Sequence, residues 1–255
     1  MRRNPFHETL ARTPPIGSWL MSGAPATAEL LGHAGFDFLV VDLEHTPLGI
    51  AEGIHLLRAV ANTPAAPVTR IAANDAVMIK QALDAGAATI MVPFVQNAAE
   101  ARLAADAMRY PPVGTRGVAA MHRASRYGAD ADYLATANDE VFLIAQLETE
   151  EAIANLREIA AVPGIDALFV GPGDLSASMG LIGQIGHERV QRTMADAARL
   201  AQEAGKPIGT VGPVPTVVRR FVDYGYDFVA VSSDLAMMRA KAVELMKLLQ
   251  TESVP

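Results

Sequence analysis

The sequence predicts an α/β protein, a single (β/α)8 TIM barrel, on three observations. A seven-residue unit recurs five times with glycine first and valine last, at Gly35–Val41, Gly86–Val92, Gly164–Val170, Gly205–Val211 and Gly225–Val231. Stretches of helical period precede these units, as in residues 28–34 and 78–85. Each glycine therefore reads as a helix C-cap, and each apolar run after it as a strand buried on both faces. Continuous apolar strands alternating with amphipathic helices mean a parallel sheet covered by helices. The length, 255 residues, is the usual size for eight such units.

Taken in order, strands are expected near 16–21, 37–42, 67–71, 87–92, 141–147, 166–170, 207–211 and 227–232. Helices fall between them near 25–34, 49–61, 75–84, 97–109, 149–161, 186–204 and 213–223, with a last one at 234–250. The rival fold is an open doubly wound sheet, which usually carries a glycine-rich fingerprint after its first strand. Here the first strand runs into Ser22-Gly-Ala-Pro25, which does not match it. One connection is long: about 30 residues separate Arg109 from Val141 and include Pro111-Pro-Val-Gly-Thr-Arg-Gly117, a length typical of lids and binding loops. No linker or low-complexity stretch divides the chain, so residues 1–255 are expected to form one domain.

Composition narrows the chemistry. Apolar residues make up 51% and charged residues 19%, enough for a large core and too hydrophobic for a disordered chain. The net charge of −7 argues against nucleic acid or an anionic membrane as partner. There are no cysteines, which excludes disulfides, thiolate catalysis, cysteine-ligated zinc and iron–sulfur clusters. Arg2 and Arg3 are followed by Pro5, His7 and Glu8 instead of an apolar segment, so no signal peptide is expected. The uncharged run from Ala85 to Ala99 has 15 residues, short of the roughly 20 that a spanning helix needs. A cytoplasmic protein is the expectation.

In a barrel, chemistry sits at the C-terminal ends of the strands. The polar residues expected there bunch on four of them: Asp42, Glu44 and His45 after the second, Arg70 on the third, Gln146 and Glu148 on the fifth, and Gly171-Pro-Gly-Asp174 on the sixth. Glu148 and Asp174 end adjacent strands and suit a hard ion such as Mg²⁺ or Mn²⁺; the alternative is that they cap local turns. His45 stands where a general base could act, or is a surface loop histidine. Arg70 interrupts an apolar strand, so it either meets an anion or enolate oxygen or pairs with Asp42 or Glu44 at the rim. The glycines of 171–174 let backbone N–H groups approach an anion, although Pro-Gly is also ordinary turn chemistry. The basic run Arg116, His122, Arg123 and Arg126 reads as an anion attractor or as a solvated or subunit-contact face, and Trp19 as pocket lining or packing.

Seven stretches in order along the chain carry a resemblance: Gly17-Ser-Trp19, Phe38-Leu-Val-Val-Asp-Leu-Glu-His45, Val68-Thr-Arg70, Gly114-Thr-Arg-Gly117, Gln146-Leu-Glu148, Val170-Gly-Pro-Gly-Asp-Leu-Ser176 and Val229-Ala-Val-Ser-Ser-Asp-Leu235. On these the chain resembles the class II, metal-dependent pyruvate aldolases of the aldolase/citrate lyase family, in particular those acting on 4-hydroxy-2-oxoheptanedioate and 2-dehydro-3-deoxyglucarate. The resemblance implies a homohexamer with the last helix exchanged between neighbours. It implies a divalent ion, Mg²⁺, Mn²⁺ or Co²⁺, on Glu148 and Asp174, with Gln146 beside the bound oxo acid. It puts the substrate carboxylate on the N–H groups of Gly173 and Asp174, Arg70 on the enolate, and His45 as base with Asp42 near it. Asp84, brought in from a neighbouring subunit, would raise the basicity of the histidine; without the resemblance it reads as a solvent-facing helix residue. Two departures stand out: Gly173 replaces an alanine common in relatives, and Thr210-Val-Gly-Pro213 replaces a bulkier aliphatic pattern in the segment that shapes the aldehyde pocket.

The implied reaction is aldol cleavage of a 4-hydroxy-2-oxo acid into pyruvate or hydroxypyruvate and an aldehyde. A Schiff-base route needs a lysine in the barrel mouth, and Lys80, Lys206, Lys241 and Lys247 all fall elsewhere. The rivals are a citrate-lyase-like enzyme acting on a CoA thioester and a non-catalytic oxo-acid binding protein.

Overall fold

A computed structural model describes residues 4–11 and 14–251; Arg2 and Arg3 lie outside them. Eight parallel strands pair in chain order and the last closes on the first. They are β1 (Ile16–Leu20), β2 (Phe38–Asp42), β3 (Ala66–Arg70), β4 (Thr89–Val92), β5 (Phe142–Leu147), β6 (Ala167–Val170), β7 (Ile208–Gly212) and β8 (Phe228–Ser233). The barrel is the expected one, with each strand within about two residues of its expected place. The open-sheet rival is excluded by β1 pairing with β8.

Twelve helices are formed among the described residues. The expected ones are α2 (Pro25–His33), α3 (Ile50–Val60), α4 (Ala76–Asp84), α5 (Ala98–Met108), α10 (Glu188–Glu203), α11 (Pro215–Asp223) and α12 (Asp234–Thr251). The helix expected at 149–161 is broken at Asn155 into α7 (Glu150–Ala154) and α8 (Leu156–Ala160). Three further helices are short: α1 (Pro5–Leu10), α6 (Tyr133–Glu140) inside the long connection, and α9 (Pro172–Ser178). No helix of the described residues is long and apolar enough to cross a membrane.

The repeat now has a physical meaning. All five first-position glycines have φ between 65° and 102°, the left-handed conformation that ends a helix and that a Cβ disfavours. Three repeats carry aspartate at their third position, and its carboxylate accepts a backbone N–H from the first or second residue of the preceding strand. Asp37 takes Ile16 N–H, Asp166 takes Leu143 N–H and Asp227 takes Ile208 N–H, at 2.8–2.9 Å. The same device thus pins the N-terminal rim of the barrel three times.

Two layers of apolar side chains follow from strands buried on both faces. The outer layer packs under the helices, whereas the barrel interior holds Trp19, Phe38, Val40, Val68, Met91, Ile144, Phe169 and Phe228. Helix α1 plugs the N-terminal end. Asn4 caps it through Phe6 N–H and His7 N–H, and its amide donates to the carbonyls of Ala88 and Glu140. Phe6, fully buried, meets the edges or faces of Phe38, Phe142 and Phe228 at 5.2–5.5 Å. Room for these rings comes from strand glycines: a Cβ on Gly17 would lie 2.4 Å from Phe38, and one on Gly209 would lie 2.2 Å from Phe228. With this end filled, polar side chains gather at the other.

Candidate active site

Strand register builds the mouth. Asp42 and Arg70 end β2 and β3 opposite one another. Both Asp42 oxygens face the guanidinium, accepting from Nε at 2.9 Å and from Nη2 at 2.8 Å. The aspartate is fully buried, and its Oδ1 also accepts the N–H of Glu44 at 3.0 Å and of His45 at 3.4 Å. Nη1 of Arg70 lies 2.9 Å from Oε2 of Glu44, and the guanidinium stacks 4.2 Å from the centre of the Trp19 ring. The rim salt bridge weighed for Arg70 is therefore real. It fixes a planar, always-charged group at the mouth instead of removing it.

Across the mouth, Glu148 follows β5. Its Oε2 accepts Phe94 N–H at 3.1 Å and its Oε1 accepts the Gln146 amide at 2.7 Å. Burial is the main force that pushes the Glu148 carboxyl up to about 8; the Phe94 N–H opposes the rise, and the charges of Glu44 and Asp174 add to it. Burial likewise raises Glu44, with Arg70 pulling the other way. Glu148 does not cap a helix: Thr149 does, accepting Ala152 N–H through its own hydroxyl at 3.0 Å. Asp174 sits in the first turn of α9, where the backbone of Gly171 is the N-cap, and its carboxylate accepts no hydrogen bond from any described residue.

An ion fits this donor set. The buried Oε1 of Gln146 has no hydrogen-bond partner, Asp174 is unengaged, and Glu148 is a carboxyl that burial leaves short of a countercharge. All are hard oxygen donors. Gly171 clears the space, since a Cβ there would stand 2.5 Å from Glu148 Oε1. Among the described residues no three His, Asp or Glu side chains form a closed ion-binding group by themselves. Two carboxylates would leave the remaining positions for substrate oxygens and water.

His45 stands beside these groups on the loop after β2. Its side chain is 54% exposed and its Nε2 lies 3.9 Å from Glu44 Oε2. Asp42 reaches it only through the backbone N–H, so within the chain this aspartate orients Arg70 and not the imidazole. Trp19 both packs, edge-on to Phe169 at 6.0 Å, and backs Arg70. Gly173 is exposed beside Asp174 and a Cβ there would meet nothing within 4 Å.

Asp84 is not brought to the mouth of its own barrel. It ends α4, where its Oδ1 lies 2.7 Å from the buried Arg116 and 3.7 Å from Nε2 of His122. Arg116 in turn stacks 4.4 Å over Tyr110 and donates to Tyr133, so this member of the basic run is packed into the long connection, whereas Arg126 is exposed. A cavity of about 670 Å³ opens at this N-terminal end, lined among others by Asn4, Pro67, Gly86 and Tyr133. It is remote from Arg70 and Glu148, and the convergence of polar groups, not that hollow, locates the site.

One contributor escaped sequence reasoning, and a second was placed by it only in part. Phe94 adopts φ 51°, a strained value for an aromatic residue, and thereby aims its N–H at Glu148. No sequence signal marks it. Glu44 was visible only as a rim carboxylate, and its place between Arg70 and His45 needed the fold.

Residues 15–240 match the family described as HpcH/HpaI aldolase/citrate lyase. The chain belongs to the HpcH/HpaI aldolase/citrate lyase family. It is 52% identical over 94% of each chain to the 2-dehydro-3,6-dideoxy-6-sulfogluconate aldolase of Pseudomonas putida. It is 44% identical to a hydroxypyruvate/pyruvate aldolase of Sagittula stellata, over 89% of this chain and 90% of the relative. A crystal structure of a family protein from Burkholderia cenocepacia J2315 superposes with a TM-score of 0.92 at 38% identity, covering 96% of this chain and 99% of that one. The resemblance drawn from the seven sequence stretches is the family found.

Proposed function

We propose that this chain is a carbon–carbon lyase that reversibly cleaves a 4-hydroxy-2-oxo acid into pyruvate, or hydroxypyruvate, and an aldehyde. The observation that carries the proposal is the buried Glu148 beside an unengaged Asp174, facing an arginine locked at the strand ends. The name of the relative from Pseudomonas putida supports it. Its substrate has an oxo group at C2, no hydroxyl at C3 and a hydroxyl at C4. Breaking C3–C4 of such an acid releases pyruvate and a three-carbon aldehyde.

Glu148 and Asp174 hold a divalent ion, Mg²⁺, Mn²⁺ or Co²⁺, with Gln146 beside it. When bound, the ion supplies Lewis acidity at the 2-oxo group. The N–H groups of Gly173 and Asp174 take the substrate carboxylate. His45 takes the proton of the C4 hydroxyl, the C3–C4 bond breaks, and its electron pair moves through C2–C3 to the 2-oxo oxygen. Arg70, backed by Trp19 and held by Asp42, donates to that oxygen as charge develops. The four lysines give no Schiff base: Lys80 is in α4, Lys241 and Lys247 are in α12, and Lys206 precedes β7 with its Nζ on the Ile165 carbonyl at 2.6 Å.

Asp84 serves the His45 of a neighbouring copy in a homohexamer. Supporting this, Asp84 places an anion at a helix C-terminus, where the dipole disfavours it, and a buried arginine is spent on holding it there. Supporting exchange of α12, its Leu235, Met238, Val243, Leu245 and Met246 are 39–56% exposed on one chain. The test is pyruvate release from a panel of 4-hydroxy-2-oxo acids with a divalent ion present, run beside acyl-CoA substrates. Release from the oxo acids supports the reading. Cleavage confined to acyl-CoA substrates, read as the acyl-CoA and oxo acid formed, favours the citrate-lyase-like rival, and binding without any turnover favours a binding protein.

A further inference from the structure

Glu44 has no role in the reaction as drawn, yet it holds the one nitrogen of Arg70 that faces away from Asp42. Nε and Nη2 are taken by Asp42, while Nη1 lies against Glu44 Oε2 at 2.9 Å. Each of the three guanidinium nitrogens thus has a protein carboxylate oxygen within 2.9 Å, and two negative groups surround one positive charge. Nη1 and Nη2 each keep a second N–H, and an oxo-acid oxygen that approaches Nη1 from the side of Glu44 must displace that carboxylate.

The two carboxylates differ in what holds them. Asp42 is fully buried, ends a strand, and is fixed by two bonds from the guanidinium and two backbone N–H groups. It cannot turn without breaking four contacts. Glu44 lies on the loop after β2, its side chain keeps 10% exposure, and its Oε2 is close to Nη1 without accepting a directed hydrogen bond from any group. An ion pair without a directed hydrogen bond is the weaker of the two. Within 3.9 Å of the same oxygen stands Nε2 of His45, which offers the displaced carboxylate a second partner.

We propose that Glu44 is a positioning residue that acts through Arg70: it occupies Nη1 in the free enzyme and yields that nitrogen to the oxygen of an incoming 2-oxo acid. The inference rests on the aldolase reading above. It makes Glu44 a competitor of the substrate, so neutralising it strengthens binding. A carboxylate that merely buttresses Arg70 predicts the opposite sign.

The experiment measures pyruvate affinity by calorimetry with Mg²⁺ present, together with kcat and KM, for the wild-type protein, Glu44→Gln and Glu44→Ala. Loss of the competing charge should lower the Kd of pyruvate and the KM about fivefold, equivalent to about 1 kcal/mol. Unchanged or weaker pyruvate binding in a folded variant overturns the proposal. Loss of the fold in both variants overturns it too, because Glu44 would then be structural. Deuterium exchange into the methyl group of pyruvate by the wild type separates the two layers. Exchange with weaker binding by Glu44→Gln removes only the role of Glu44, whereas no exchange and no binding by the wild type removes the aldolase reading with it.

Discussion

Replacing Glu148 by glutamine should stabilise the metal-free protein, and the gain should depend on pH. Burial holds the carboxyl at about 8 instead of 4.5, a difference that corresponds to about 5 kcal/mol as an upper bound. The sign follows from protons bound. A carboxyl whose folded value is raised costs nothing below about 4.5, where both states are protonated. It costs progressively more as pH rises, and the full amount above about 8, where it must ionise in the folded protein. Glutamine has the same shape and no charge. Its one oxygen can keep the Phe94 N–H, and a flip of Gln146 would turn that residue's unpartnered Oε1 toward the new amide. Thermal melts of chelator-treated protein at pH 4.5 and pH 9 test this. For a chain of this size about 1 kcal/mol moves Tm by about 2–4 °C. The variant should match wild type at pH 4.5 and exceed it by about 5–15 °C at pH 9. Saturating Mg²⁺ should close the gap by raising wild type alone. Equal melting differences at both pH values, or a wild type that is the more stable at pH 9 without metal, would refute the argument that Glu148 is an uncompensated buried carboxylate.

Other substitutions probe single contacts. Arg70→Lys keeps the charge but cannot reproduce the forked pairing with Asp42, so kcat should fall about 10²- to 10³-fold, read by steady-state pyruvate release. Gly171→Ala drives a methyl group to 2.5 Å from Glu148 Oε1 and should weaken metal affinity in a titration, whereas Gly173→Ala meets nothing within 4 Å and should behave as wild type. Phe6→Ala empties the plug between Phe38, Phe142 and Phe228 and should cost about 3–5 kcal/mol in denaturant unfolding, with little change in KM.

What was legible in the sequence was what repeats. Glycine and valine at the ends of a seven-residue unit gave strand positions because the left-handed helix end and the doubly buried strand each leave a local mark. The aspartates at 37, 166 and 227 repeat just as plainly, and their use, bonding an N–H at the start of the preceding strand, could have been read from the third position of the unit. Helix α1 also carried a signal, Asn4 before Pro5, which is a cap followed by a residue preset for the first turn. The site was legible to the extent that residues after strands must converge: Asp42, His45, Arg70, Gln146, Glu148 and Asp174 were all placed at the barrel mouth on that ground, and they stand there. Phe94 was not, because its contribution is a backbone N–H in a strained conformation, and such a contribution leaves no trace in residue type. Asp84 shows the opposite limit. Its surroundings in one chain, Arg116 and His122, lie away from the mouth, so a catalytic role for it depends on a second copy.

The central claim is that two carboxylates and an arginine, with a divalent ion, hold the enolate of a cleaved 2-oxo acid. Its most direct test is pyruvate release by chelator-treated protein given a 4-hydroxy-2-oxo acid, before and after addition of Mg²⁺, Mn²⁺ or Co²⁺. Activity should be lost on chelation and return with at least one of these ions in the wild type, but not in Glu148→Gln. Full activity in the chelated protein, or restoration by none of the ions, would contradict the account.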